Sequence, residues 1–305
     1  MSRRVQFSRL GGPEVLDLVD IDPPQAAAGE VRVAVAATSL NPLDYKIFGG
    51  LPTSSPHVFD LPAGNGADFA GTIDQVGDGV TGFVVGDEVL GSQLRSAQAD
   101  FVVIDPQRLV RKPAGLDWVT AAGLTTVART AAASVKAIRV GPSDTVFVSA
   151  AAGGVGIIAS QLAKRAGARV IGSASPDNHD FLVSLGVEPV EYGDGLVEAV
   201  RAIAPNGITA ALDNHGRPSV DAALALGAPA SRVNSIADYA AADDYGTLAV
   251  GGSAASSADL EDVAELVAAG EVRLPIDSTY PLEEVRAAYE RLLGRHVRGK
   301  IVLTL

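Results

Sequence analysis

The stretch "SAAAGGVG", residues 149–156, decides how the chain is read. It follows "DTVFVSA", a short apolar run with strand character, and leads into "GIIASQLAKRAG", which has helical periodicity. A strand, a glycine loop and a helix in that order place unpaired N–H groups and the positive end of a helix dipole together, which suits a pyrophosphate. The common dinucleotide spelling is Gly-x-Gly-x-x-Gly, and here Ala151 stands at the first glycine. Gly153 lets the backbone approach phosphates, and Gly156 permits close packing of helix on strand. Gly154 and Val155 complete the loop, and Ala151 is acceptable provided its φ stays negative. Glycine-rich turns often only turn, so the surrounding pattern has to carry the cofactor reading.

That pattern continues on the C-terminal side. "ARVIGSA" reads as a strand, "NHDFLVSLG" as a helix, "EPVEY" as a strand, "GLVEAVRAIAP" as a helix and "ITAALDN" as a strand. Such alternation predicts a parallel sheet with right-handed crossovers. The first hundred residues differ, with "EVRVAVAATSL" (30–40), "FAGTIDQV" (69–76), "VTGFVVGDEVLG" (80–91) and "ADFVVIDPQRLVRKP" (99–113) reading as strands between Gly and Pro. The texture changes near Leu116. "DLEDVAELVAAGEV" and "LEEVRAAYERLLG" near the end read as amphipathic helices, and "GKIVLTL" as a last strand.

The end of the second strand of the α/β region selects between cofactors. An acid there would bind a ribose 2′-hydroxyl, but "ARVIGSAS" ends on Ser173, Ala174 and Ser175. Small hydroxyls leave room for a 2′-phosphate and can donate to it, which predicts NADPH. Asn178 and His179 add donors one turn on, whereas Asp177 would repel the phosphate. The competing reading is that the two serines cap the helix that follows.

Composition narrows the class. The 305 residues carry a formal net charge of −12, are 47% hydrophobic and 20% charged, and include no cysteine. The acidic balance argues against nucleic acid or an anionic membrane as partner. Without cysteine there is no disulfide, thiolate nucleophile or thiolate zinc site. The first residues, "MSRRVQFSRLGGPEVLDL", lack a signal-peptide core, and no apolar run is long enough to span a bilayer. A cytoplasmic protein is expected. Length allows two domains.

Taken together, "SLNPLDYKIFGG" (39–50), "GADFAGTIDQVGDGVTGFVVGDEVLG" (66–91), "AAGLTTVARTA" (121–131), the segment 140–175 and "GRHVRGKIVLTL" (294–305) give a resemblance over essentially the whole chain. The chain resembles the zinc-independent quinone oxidoreductases, and their alkenal and enone reductase branch, of the medium-chain dehydrogenase/reductase superfamily. The resemblance implies an α/β protein. A GroES-like partly open β-barrel (1–115, completed by 256–305) accompanies a Rossmann doubly wound parallel sheet (116–255). It implies a zinc-independent NADPH-dependent oxidoreductase that passes hydride to a small-molecule quinone or enone, and a homodimer. A pathway-specific enoyl reductase of secondary metabolism and a non-catalytic NADPH-binding sensor are the alternatives.

Zinc-dependent members carry a Cys and a His-Glu pair where this chain has Asn41 and Ala67-Asp68. The four histidines, His57, His179, His215 and His296, show no metal-ligand spacing, so no metal is expected. In "NPLDYK" the resemblance implies that Asn41 positions the cofactor, and that Tyr45 or Lys46 donates to the developing enolate oxygen. Adjacent residues face opposite ways in a strand but can both approach a site at a helix start, so the choice stays open. Asp44 is read as structural. The resemblance further implies cofactor contacts from Thr125, Tyr192, Ser235, Ile236, Gly251 and Gly252, with Asn214 or His215 bordering the site. Lys300 serves either cofactor or fold. Thr126 departs from the small apolar residue common there.

Overall fold

The computed structural model describes residues 1–51 and 59–305. The chain forms two compact units, one of Met1–Thr126, Leu260–Ala269 and Pro275–Leu305, the other of Val127–Asp259 and Gly270–Leu274.

The first unit opens with β1 (Ser2–Phe7) and β2 (Leu16–Ile21), an antiparallel pair to which β4 (Ala63–Gly64) adds on the other side of β1. Its main sheet is built on β3 (Val31–Ser39), the "VRVAVAATS" run of β-branched and small residues. β3 pairs antiparallel with β5 (Asp68–Val76), β7 (Phe101–Ile104) and β15 (Lys300–Thr304). β6 (Glu88–Ser92), β8 (Leu109–Arg111) and β14 (Ile276–Pro281) extend it to the order β14-β15-β3-β5-β6-β8. Alternate side chains of β3 are buried at its start, and its last three residues are all buried. That end of the strand lies inside the unit, next to the short helix α1 (Pro42–Phe48). Val5, Phe7, Phe48, Tyr289 and Leu303 form one core of this unit. Each such side chain contributes about 1.5–3 kcal/mol by leaving water.

The second unit carries β9 (Thr145–Val148), β10 (Arg169–Ser173), β11 (Glu188–Val190), β12 (Ala210–Asp213) and β13 (Val233–Ser235), parallel throughout in the order β11-β10-β9-β12-β13. Helices α3 (Gly154–Arg165), α4 (His179–Ser184), α5 (Leu196–Ile203) and α6 (Arg217–Ala225) make the crossovers. The order is that of a doubly wound nucleotide-binding sheet, and the chain reverses direction across the sheet at β9. Phe147, Ile171, Val200, Val220 and Val233 anchor its core.

Helix α2 (Trp118–Ala137) is continuous through Thr126 and Val127, where the two units divide, whereas the change of texture at Leu116 falls in the turn just before that helix. One sequence expectation needs correction. Within "VTGFVVGDEVLG" only Glu88 onward is strand. Val84 and Val85 are 63% and 62% exposed, in a turn set by Gly82 and Gly86 at φ 86° and 97°. The left-handed glycines outweigh the apolar run there. β1, β2 and β14, in turn, carried no clear period in the sequence. Among the described residues no helix is long and apolar enough to cross a membrane.

Candidate functional site

In the second unit the loop 149–153 joins β9 to α3 at the carboxyl edge of the sheet, with Gly153 as the helix N-cap. Ile157 N–H already bonds Gly153 O, so the N–H groups of Gly154, Val155 and Gly156 have no acceptor within the helix. The strain of the tight turn falls on Ala150, at φ 46°, while Ala151 keeps a negative φ, as its side chain requires. Ala151 N–H bonds Ser173 O at 2.9 Å, which fixes the loop to β10, and Gly153 N–H bonds Ala150 O at 3.0 Å within the loop. A Cβ on Gly156 would lie 2.3 Å from Ala150 O, so only glycine fits. A Cβ on Gly172 would lie 2.7 Å from the Ala151 methyl. The alanine at the turn is thus matched by a glycine on the neighbouring strand.

The strand ends beside this loop are tied by Asp213, a residue sequence reasoning missed. Its Oδ1 accepts from Ser149 Oγ (2.7 Å) and from the N–H groups of His215 and Gly216 (3.0 Å each), and its Oδ2 accepts from Ser235 Oγ (2.6 Å). Asn214 N–H bonds Ser149 Oγ, and its side-chain amide bonds Ser149 O. Ser235 Oγ also accepts from Ala237 and Asp238 N–H, and Ile236 N–H bonds Asp213 O. The hydroxyl of Ser235 therefore serves the clamp. Nothing in the local sequence marked Asp213; its partners are 22 and 64 residues away.

Of the other expected cofactor residues, Ser173 is buried at the end of β10. Ser175 Oγ accepts from Asn178 Nδ2 at 3.0 Å, and His179 Nε2 stands 3.3 Å from Ala174 O. Neither Ser175 nor Asn178 makes a side-chain cap. Tyr192 is half exposed, and its ring stacks on that of His215, with centroids 6.5 Å apart. The fold thereby brings together two residues singled out separately. Gly251 precedes a single helical turn, and Gly252 O accepts from Arg129 Nε.

The first unit gathers a second cluster, around Asn41. Asn41 is the N-cap of α1, Pro42 opens the helix, and Asp44 Oδ2 accepts the Asn41 backbone N–H at 2.8 Å. Asn41 Oδ1 accepts from Lys300 Nζ at 2.7 Å, and Asn41 Nδ2 donates to Asp68 Oδ2 at 3.0 Å. Lys300 Nζ also bonds Leu40 O at 2.7 Å. Asp68 further accepts from Thr126 Oγ1 at 2.6 Å and from Thr126 N–H at 3.2 Å. The hydroxyl that sets Thr126 apart from its apolar counterparts is therefore used. Asn41, Asp68 and Lys300 are all buried.

Behind this cluster Tyr289 OH donates to Asp44 Oδ2 (3.2 Å) and accepts from Asn65 and Gln98 (3.0 and 2.9 Å). Burial pushes the Asp44 carboxyl up to about 7; the Asn41 N–H and Lys300 oppose the rise, and Asp68 adds to it. Burial also pushes the Lys300 ammonium down, while Asp68 and Asp44 favour its charge.

Tyr45 and Lys46 both lie on α1 and are half-buried, with Tyr45 packed against the apolar core. Lys46 has no ion-pair partner among the described residues. Thr125 Oγ1 is buried without a hydrogen-bond partner there, as a group awaiting a ligand would be. Two of the three Lys300 ammonium hydrogens serve Asn41 and Leu40. His296 lies in a left-handed turn at φ 56°, and His57 lies outside the described residues.

Zinc does not fit the Asn41 cluster. An ammonium donates to the amide oxygen, Ala67 offers no ligand atom, and the Asp68 oxygens already accept three hydrogens. The loop 149–156 does fit the pyrophosphate of a dinucleotide, given its three unspent N–H groups and the glycine-only contact at Gly156.

Comparison with known proteins agrees. Residues 27–140 match the alcohol dehydrogenase GroES-like domain, and residues 185–303 match the family described as zinc-binding dehydrogenase. A quinone oxidoreductase of Pseudomonas aeruginosa is 30% identical, with 99% of each chain covered. The phthioceranic/hydroxyphthioceranic acid synthase of Mycobacterium tuberculosis is 30% identical over 98% of this chain, which spans 15% of that protein. The structure of Escherichia coli quinone oxidoreductase complexed with NADPH superposes with a TM-score of 0.89 at 26% identity, covering 99% of this chain and 100% of that one. The two units are thus a GroES-like domain and a Rossmann domain, and the chain belongs to the quinone oxidoreductases of the medium-chain dehydrogenase/reductase superfamily.

Proposed function

We propose that this protein transfers hydride from NADPH to a quinone or an α,β-unsaturated carbonyl without a metal. The observation that carries the reading is the loop 149–156, with its three unspent N–H groups at the carboxyl edge of the parallel sheet. When bound, NADPH supplies the hydride from its reduced nicotinamide. Gly154, Val155 and Gly156 would hold the pyrophosphate, and Ser173, Ser175 and Asn178 the ribose phosphate. Tyr192 and His215 would flank the adenine, and Ser235, Ile236, Gly251 and Gly252 would line the path between. Thr125 and Asn41 would contact the nicotinamide end.

A hydride carries two electrons and one hydrogen, so each turnover needs one further proton. In an enone the hydride goes to the β-carbon and the proton to the α-carbon; in a quinone the pair completes the hydroquinone. Tyr45 or Lys46 would donate to the carbonyl oxygen as its charge grows, and solvent would supply the proton. Acceptors of this kind need only modest polarisation, which suits a site without a Lewis acid. The working form is taken as a cytoplasmic homodimer, and light scattering at assay concentration checks the dimer.

The test is consumption of NADPH and NADH by chelator-treated protein with one small quinone and one enone. Turnover with NADPH supports the reading, and no turnover with either acceptor counts against it. Lys46→Met with unchanged turnover would remove Lys46 from the account. The similarity to polyketide synthases favours one second reading, reduction of an enoyl thioester. Faster turnover of a 2-enoyl thioester than of either small acceptor would select it.

A further inference from the structure

The Asn41 side chain spans two buried opposite charges. Lys300 Nζ donates to its oxygen at 2.7 Å, and its nitrogen donates to Asp68 at 3.0 Å. The two ends cannot be exchanged, because a flipped amide would set N–H against the ammonium and oxygen against the carboxylate. A cation at the oxygen and an anion at the N–H both favour the charge-separated form of the amide. The second Nδ2 hydrogen, which bonds nothing among the described residues, becomes a stronger donor as a result.

The arrangement is an expensive way to hold a loop. Isolating an ammonium and a carboxylate from water costs several kcal/mol per ion, which a neutral packing of equal volume would avoid. Four separate segments contribute to it: residues 40–41, Asp68 at the start of β5, Thr126 on α2 and Lys300 at the start of β15.

We infer that Lys300 and Asp68 are positioning residues that orient and polarise the Asn41 amide, whose remaining Nδ2–H donates to the acceptor's carbonyl oxygen as negative charge develops there. The inference rests on the reductase reading above. A donor strengthened in this way gains most against an oxygen that becomes anionic in the transition state, and least against a neutral amide of the cofactor.

The test is a double-mutant cycle on the full-length protein, with Lys300→Met and Asn41→Ala alone and combined. Lys300→Met is expected to lower kcat about tenfold, short of the 10²–10³ for deleting a transition-state donor outright. KM for NADPH should stay within about threefold, since the lost interaction is made in the transition state. In the Asn41→Ala background, Lys300→Met should have no further effect on kcat, and Lys300→Arg should recover part of the loss in the wild-type background. Equal losses in both backgrounds, or an unchanged kcat in folded Lys300→Met, overturn the inference. Asp68→Asn is the second variant should Lys300→Met fail to fold, with the same coupling expected.

A readout independent of turnover is the side-chain amide of Asn41 in ¹⁵N-asparagine-labelled protein, assigned by its loss in Asn41→Ala. Two well-separated Nδ2 protons that move upfield in Lys300→Met support the clamp, and a shift unchanged by that substitution contradicts it. Wild type that oxidises no NADPH with any acceptor defeats the reductase reading and the donor role with it, and the amide resonance then decides the clamp alone.

Discussion

The two clusters are built in opposite ways. In the Rossmann unit the unspent polar groups are backbone N–H donors within eight consecutive residues, shaped by where glycine is and is not. In the GroES-like unit the polar groups are side chains drawn from positions 41, 68, 126 and 300. A backbone site depends on local conformation and tolerates side-chain change around it. A side-chain site depends on long-range folding and on charge balance.

Breaking the loop conformation should cost most. Gly156→Ala forces a Cβ to within 2.3 Å of Ala150 O, so the loop must move. A loss of about 3 kcal/mol in stability, the upper end for overpacking, is expected together with loss of NADPH binding. Urea unfolding and NADPH fluorescence titration check it. NADPH binding at wild-type strength would show that the loop is not the phosphate site.

The buried carboxyl of the side-chain cluster should show itself through pH. Asp44 holds its proton up to about 7 in the folded protein, against 3.8 for an ordinary aspartate, chiefly because it is buried. Between these values the folded state binds more protons than the unfolded one, so stability falls as pH rises from about 4 to about 7. At about 1.4 kcal/mol per pKa unit the change is on the order of 4 kcal/mol. Asp44→Asn should flatten that slope, as urea midpoints at pH 5 and pH 8 will show. The same slope in wild type and variant would assign the titration elsewhere.

Asp213 belongs to the Rossmann unit but behaves like the other cluster, being one carboxylate shared by three strand ends. Asp213→Ala strands the buried hydroxyls of Ser149 and Ser235 and should cost about 2 kcal/mol in urea unfolding. It should also weaken NADPH binding, because the segment after β12 loses its anchor. The smallest effect is expected at Ala150. Relieving a left-handed alanine returns about 1–2 kcal/mol, and the freedom glycine adds to the unfolded chain takes back about 0.5–1. Ala150→Gly should therefore stabilise by about 0.5 kcal/mol, read as a small rise in the urea midpoint.

The same contrast explains what could be read from the sequence. The parallel sheet, its order of elements and the loop 149–156 follow from period and glycine placement, both local signals. The place of Ala151 at the turn glycine is visible in the loop itself, whereas its contact with Gly172 is made across strands and leaves no local mark. The pairing of Asn41 with Asp68 and Lys300 spans 27 and 259 residues, and no local pattern encodes it. Lys300 stood out only through family resemblance, and the geometry turns its ammonium to Asn41. "FVVG" looked like strand because its apolar run was visible while the φ of its flanking glycines was not.

Hydride transfer from NADPH to an activated acceptor, as proposed above, can be followed with isotope-labelled cofactor. Chelator-treated protein would be incubated with NADPH deuterated at C4, in each of its two configurations, and a simple enone, and the product analysed by mass spectrometry. One deuterium is expected on the β-carbon of the saturated product from one of the two labelled cofactors. Saturated product free of deuterium with both cofactors, or no product here and no NADPH oxidation with the quinone either, would overturn it.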